Sequence, residues 1–249
     1  MVGELRRFPG ISELQVAAAS LFFAEATRAI DERGVFRVAL SGGSTPRGVF
    51  SRLADDPALR SPINWTNVLF FFGDERHVPP DHPDSNYRMA AEAMLDRLPI
   101  DRAHVYRMKG EDPDAARAAA EYEAALGAAF ELKPGELPRF DLLMLGMGPD
   151  GHTASLFPGT GALHETRRLV VANHVSQLNT DRITLTAPVL NAAAMVLFLV
   201  TGADKAPALK DVLEGPYDPE RFPSQLVRPA HGEVLWFVDP DASRLLTAR

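Results

Sequence analysis

Cysteine is absent from all 249 residues, which excludes a disulfide framework, a thiol nucleophile and a thiolate metal site. Lysine is scarce: four of the 26 basic residues are lysines and the rest are arginines. No apolar run reaches the roughly 18 residues that suggest a membrane span. The first ten residues carry Arg6 and Arg7 but no apolar core of a signal peptide, so a cytoplasmic location is expected. Positive charge is in deficit as well. The net charge is −7 and no basic block stands out, which argues against nucleic acid as a partner. An apolar fraction of 46% and a charged fraction of 24% remain, as in an ordinary globular protein. With no repeat, low-complexity tract or linker, residues 1–249 read as one domain.

Strands and helices alternate along the chain. Ile11 to Arg33 reads as an alanine-rich helix with Ser12 as N-cap and Gly34 as its stop. Strands are expected at Val35–Leu40, Trp65–Phe72, His104–Met108, Phe140–Leu145, Arg168–Asn173, Arg182–Thr186, Ala194–Val200 and Val234–Val238. Helices are expected from Pro46 through Leu53, at Asn86–Leu98, Asp112–Leu132 and Pro188–Ala193, and from Lys205 to about Leu213. This is the pattern of an α/β fold, a mostly parallel sheet with helices on both faces. In such sheets ligands bind beyond the carboxyl ends of the strands, where each polar motif of this chain falls.

Four of those motifs carry chemistry. Ser41-Gly42-Gly43-Ser44-Thr45-Pro46 follows a strand and opens a helix. Its glycines, hydroxyls and free helix N–H groups suit a phosphate, although Ser and Thr also serve as plain caps. Gly73-Asp74-Glu75-Arg76 places an arginine at a strand tip. It could clamp an anion or oxyanion, or simply pair with Asp74 or Asp84. Asp74, His77, Asp81, His82 and Asp84 lack a recognised metal-ligand spacing, so no metal is expected. Lys205 sits at a helix start, where a cation is unfavourable unless an anion compensates it; it is otherwise a solvated lysine. Arg182, heading Arg-Ile-Thr, is similar.

The fourth motif is Gly146-Met-Gly-Pro-Asp-Gly-His152, after which Thr153 and Ser155 could help begin a helix. It matches G-x-G-x-x-G. However, the acid that holds a dinucleotide ribose about 20 residues on is missing, and no cofactor is expected. No G-x-S-x-G elbow supports a serine nucleophile. An imidazole, with a reference pKa of about 6.5, can take a proton from water near neutrality, and Asp150 can orient His152 for it. Such help suffices for an activated ester. The residues therefore suggest hydrolysis, or a proton transfer, on a small phosphorylated substrate with a reactive carbonyl.

Taken together with Ser85-Asn-Tyr87, Arg182-Ile-Thr and Thr201-Gly-Ala-Asp-Lys205, these motifs resemble those of the 6-phosphogluconolactonase family over nearly the whole chain. The resemblance implies a Rossmann-like α/β sandwich shared with glucosamine-6-phosphate deaminase and ribose-5-phosphate isomerase. It implies metal-free hydrolysis of 6-phospho-D-glucono-1,5-lactone to 6-phosphogluconate, in the oxidative pentose phosphate pathway. The partner would be a phosphorylated sugar lactone. By position, His152 resembles the general base and Asp150 its partner. On that resemblance Ser41, Gly42, Gly43, Ser44 and Thr45 would form the phosphate loop, and Arg182 and Lys205 would contact the phosphate. Arg76 would face the lactone or its phosphate, and Asp74 would join the substrate-binding set. The deaminase pattern places a glutamate five residues after the histidine, where this chain has Phe157, and lacks an arginine at position 76. Deamination, or a non-catalytic sugar-phosphate sensor, is the alternative.

Overall fold

The computed structural model describes residues 3–247. In chain order its first half holds β1 (Glu4–Arg7), α1 (Ile11–Arg33), β2 (Phe36–Leu40), α2 (Ser44–Asp55), α3 (Pro57–Arg60), β3 (Val68–Phe72), β4 (Asp74–Arg76), α4 (Asn86–Ala90) and α5 (Ala115–Ala129). The second half holds β5 (Leu142–Leu145), β6 (Val170–Val175), β7 (Thr180–Leu185), α6 (Ala187–Ala192), β8 (Met195–Val200), α7 (Ala206–Glu214), β9 (Glu233–Val238) and α8 (Pro240–Ser243).

Six strands form one wholly parallel sheet in the order β1-β9-β8-β5-β2-β3. Apolar residues alternate between its faces. Val38, Leu40, Phe70, Phe72, Leu142 and Met144 pack under α1 and α2, against Leu14, Phe22 and Phe50. Ala39, Phe71, Leu143, Leu145, Phe198 and Trp236 face Tyr122 and Leu126 of α5 and Leu209 of α7. Burial on both faces explains why these strands read as continuous apolar runs rather than alternating ones. The expected mostly parallel sheet, with helices on both faces, is the observed one.

The strand order places the site. The chain steps from β2 outward to β3, then returns to lay β5 on the other side of β2. The loops leaving β2 and β5 therefore diverge, and the crevice between them is the topological switch point where open α/β sheets bind ligands.

A three-stranded antiparallel sheet, β4-β7-β6, flanks that crevice. It was not expected, because β4 is only three residues long and exists through its pairing with β7. Other expectations need correction. Residues Trp65–Asn67 form a 3₁₀ turn before β3. His104–Met108 is no strand: Val105 makes a single bridge to Phe70. The helix at Asn86 becomes a π turn at Ala91–Leu95. Ser12 does not cap α1, which starts after Gly10; its hydroxyl accepts from Arg52 at 2.8 Å instead. Gly34 does end that helix, at φ 74°.

The edge of β3 is covered by a side chain. The Tyr122 hydroxyl of α5 accepts from the Phe72 N–H at 2.8 Å and donates to the Phe72 carbonyl at 3.2 Å. Burial pushes its phenol pKa up strongly, so it remains a donor. Tyr122→Phe strips both partners from a buried backbone unit. It should cost about 1–3 kcal/mol of unfolding free energy in urea melts. A variant as stable as the parent would show that water replaces the hydroxyl.

Candidate active site

The loop after β5 is built around a carboxylate–imidazole pair. Asp150 Oδ1 lies 2.6 Å from His152 Nδ1 and also accepts the His152 backbone N–H at 3.2 Å. With Nδ1–H donated to Asp150, Nε2 is left as the basic nitrogen of the neutral ring. The opposite requirement falls on Gly148. A Cβ there would lie 2.1 Å from His152 Nδ1 and 2.6 Å from Asp150 Oδ1. Glycine at 148 is thus the space in which the pair forms.

Backbone bonds hold the loop shut. Gly148 N–H donates to the His152 carbonyl at 2.9 Å, and Thr153 Oγ1 donates to the Gly146 carbonyl at 2.8 Å. Gly151, at φ 77°, presents its carbonyl to Ser224 N–H at 2.9 Å and to Ser224 Oγ at 2.8 Å. The expected helix after His152 does not form. Ala154 takes φ 47°, Thr153 is turned back on Gly146, and the Ser155 hydroxyl donates to Asp74 Oδ2 at 2.7 Å. Those hydroxyls brace the loop rather than cap a helix. Phe157, almost fully buried, lies against the imidazole with ring centroids 4.0 Å apart and planes at 24°.

His152 faces a cleft of about 260 Å³ shared with Ser41, Gly42, Gly43, Asp74, Arg76 and Lys205. Gly43, at φ 108°, is the N-cap of α2. A conformation so unfavourable to other residues lets the chain turn sharply, and the first N–H groups of α2 remain without intrahelical acceptors. Lys205 pairs with Asp204 at 3.0 Å, the anion its place at a helix start requires. Arg76 donates to the Asp84 carbonyl rather than to a carboxylate.

Not every expected binding residue lines this cleft. Ser44 points to solvent, and Thr45 is buried with its hydroxyl 2.7 Å from that of Thr201. Arg182 lines an adjoining cavity that shares Arg76 as a wall. The two arginines are register partners across β4 and β7. Burial first, and then the Arg76 charge, hold the Arg182 guanidinium below its usual pKa. Asp74 does reach the cleft, but Ser155 engages Oδ2 and the Asn86 amide donates to Oδ1 at 3.4 Å and to the Asp74 carbonyl at 3.0 Å.

Two supporting residues, Glu75 and Asn86, lie inside the sequence motifs without a role assigned to them there. The buried Glu75 carboxylate accepts from the N–H groups of Arg76, Asn86 and Tyr87 at 2.7 to 2.9 Å, and from Ser85 Oγ at 3.0 Å. Burial pushes its pKa up against those donors. It completes the cap of α4 from a distant strand, since Ser85 caps the Arg88 N–H but position 88 carries no acid. Asn86, so placed, lies against Gly42, where a Cβ would come within 1.9 Å of its Oδ1. The Ser85-Asn86 cap sequence was the available signal; nothing local tied it to Glu75, ten residues before Ser85.

For Asp150, burial pushes the carboxyl up, but the hydrogen bonds and charge of His152 outweigh it and leave the pKa below the ordinary 3.8. The pair therefore adds stability above the unfolded carboxylate value, and loses it as pH falls through the lower folded value. His152→Ala removes the favourable partner and leaves the burial. Carboxyl-carbon NMR should then show Asp150 titrating at a higher pH than in the parent; an unmoved midpoint would mean that His152 does not hold it.

The chain matches, over residues 10–236, the family model described as glucosamine-6-phosphate isomerases/6-phosphogluconolactonase. It is 42% identical over 221 residues to a 6-phosphogluconolactonase of Synechocystis sp., covering 88% of each chain. It is 39% identical over 247 residues to the human 6-phosphogluconolactonase, covering 98% of this chain and 94% of that one. Among solved structures, the 6-phosphogluconolactonase of Trypanosoma cruzi superposes with a TM-score of 0.87 at 29% identity, covering 100% of this chain and 99% of that one. A monomeric glucosamine-6-phosphate deaminase superposes with a TM-score of 0.80 at 21% identity over 98% of this chain and 100% of that one, a likeness of fold alone. Among the described residues, no helix is long and apolar enough to cross a membrane.

Proposed function

Because the chain belongs to the family of glucosamine-6-phosphate isomerases and 6-phosphogluconolactonases, we propose that it hydrolyses 6-phospho-D-glucono-1,5-lactone to 6-phosphogluconate in the cytoplasm, with His152 as general base. The observation that carries the mechanism is the 2.6 Å bond between His152 Nδ1 and Asp150, on a ring that lines the cleft. Nε2 takes a proton from water as the water oxygen attacks C1 of the lactone. The carbonyl oxygen becomes an oxyanion, and Asp150 stabilises the imidazolium that forms. Collapse of the tetrahedral intermediate breaks the bond from C1 to the ring oxygen. That oxygen leaves as an alkoxide and takes the proton back from His152.

Two cations, Arg76 and Lys205, line the cleft, with different tasks in this mechanism. Lys205, with the amino end of α2 at Gly43, holds the phosphate. Arg76 faces the carbonyl oxygen as its charge develops. Arg182, one cavity away, reaches the phosphate only if the substrate extends past Arg76. Phe157 supports hydrolysis over deamination, since an apolar ring covers the imidazole where the deaminase pattern carries a glutamate.

The test is the decay of freshly generated lactone, followed by alkali uptake at constant pH. Purified protein should accelerate it well above the spontaneous rate; no acceleration would end the lactonase reading. Lys205→Ala should mainly raise KM, by about tenfold or more, as loss of a charge-assisted bond implies. Arg76→Ala should mainly lower kcat. The reverse split would exchange their roles.

A further inference from the structure

The cleft around His152 occupies the carboxyl edge of the sheet. At the amino edge lies a second cavity of about 480 Å³, which the proposed hydrolysis does not use. Its position follows from the elements around it. Arg37 is the second residue of β2, Asp141 immediately precedes β5, and Ala194 immediately precedes β8. Four arginines line it, Arg28, Arg33, Arg37 and Arg139, against a single carboxylate, Asp141.

That carboxylate is already engaged at both oxygens. Oδ1 accepts from Arg33 Nη2 at 2.6 Å, and Oδ2 from the Arg37 backbone N–H at 2.8 Å. Arg28 is satisfied at the rim by Glu25 at 2.5 Å and Glu32 at 3.0 Å. Among the described residues, Arg139 donates only to carbonyls, those of Ala192 at 3.4 Å and His231 at 2.9 Å. Arg37 stands apart. Its Nε is buried and finds no hydrogen-bond partner among the described residues, and its guanidinium carbon lies 5.3 Å over the ring of Phe130.

A guanidinium cannot shed its charge, and a buried donor without an acceptor costs stability. The planar fork of arginine matches a phosphate through two parallel bonds, and a cation held over an aromatic ring is kept near that ring before any ligand arrives. Beside the arginines, Phe130, Leu132 and Leu137 give the cavity an apolar wall of the kind that covers the uncharged part of a small ligand. We propose that this amino-edge cavity binds a phosphate-bearing small molecule, with Arg37 and Arg139 on the phosphate and the Phe130 wall against the remainder. It is a separate site from the cleft, since Arg37 and Ser41 lie at opposite ends of β2.

Isothermal titration calorimetry with inorganic pyrophosphate at low ionic strength tests it, because pyrophosphate offers the charge without the sugar. Arg37→Met keeps a stem of similar length over Phe130 and deletes only the fork. It should weaken one class of pyrophosphate binding at least tenfold, and Arg139→Gln should weaken the same class. Lys205→Ala, a substitution in the cleft, should leave that class intact. Circular dichroism of both arginine variants establishes that they are folded. Isotherms of Arg37→Met and Arg139→Gln that match the parent would overturn the proposal, as would a single class of binding that vanishes in Lys205→Ala. Either result stands whether or not the protein hydrolyses the lactone, since no turnover is measured.

Discussion

Replacing His152 by alanine should lower kcat for the lactone by about 10² to 10⁴, the range that general acid–base help supplies. The loss should appear equally in kcat and in kcat/KM, because proton transfer is made only in the transition state. Binding of the product should survive, since the cleft's cations and the amino end of α2 are untouched. A variant with the parent's turnover would remove His152 from the mechanism. One with intact kcat and a raised KM would make it a binding residue. The residual rate also has a floor, because the lactone hydrolyses unaided and Arg76 still faces the carbonyl in this reading.

The second large effect comes from one methyl group. Gly148→Ala puts a Cβ 2.1 Å from His152 Nδ1, 2.2 Å from its Cε1 and 2.6 Å from Asp150 Oδ1. The imidazole must swing out, which breaks the pair and turns Nε2 from its position. Activity should fall by about a hundredfold or more, approaching that of His152→Ala. Stability should fall only by what the Asp150–His152 pair contributes, because Gly148 is not among the residues at positive φ and the clash is with movable side chains. Gly151→Ala is the contrast. Its φ of 77° disfavours a side chain, and its Cβ would come 2.9 Å from the Phe222 ring. That variant should lose stability as well as activity. Thermal melts beside kinetics separate the two. An active Gly148→Ala would show that the loop can shift enough to keep the Asp150–His152 bond.

These two residues show how unevenly the site could be read. The Asp150-Gly-His152 spacing was legible because two residues along a tight loop suffice for a carboxylate to reach the imidazole, a local fact. The three glycines of that loop look alike in the sequence but do different things. Gly148 makes room for the pair, Gly151 takes a left-handed turn, and Gly146 supplies the carbonyl that holds Thr153. Thr153 and Ser155 looked like helix caps because hydroxyls there usually are. Their partners, Gly146 and Asp74, belong to the fold instead. Asp74 likewise reads as a binding carboxylate; in the structure its Oδ2 braces the loop against β4 through Ser155, and its Oδ1 takes the Asn86 amide.

What the sequence determined by itself is what depends on neighbours along the chain. Apolar runs at β2, β3, β5 and β8 can only be strands buried on both faces, and the polar loops after them can only lie at one edge of a parallel sheet. The carboxylate–imidazole pair, and a helix opening within the Ser41–Pro46 loop, follow from the same local chemistry, although the helix starts at Ser44 after Gly43 rather than at Pro46. Tertiary structure alone decided which of those loops meet. The order of β5, β2 and β3 opens the crevice between the first and third loops. The pairing of β4 with β7 sets Arg76 beside Arg182 while only Arg76 reaches the cleft. Glu75 holds Asn86 against Gly42, and Arg37 is left without a hydrogen-bond partner over Phe130 among the described residues. Each of these is a contact between residues far apart in the chain, fixed by packing both faces of the sheet at once, and no local pattern encodes it.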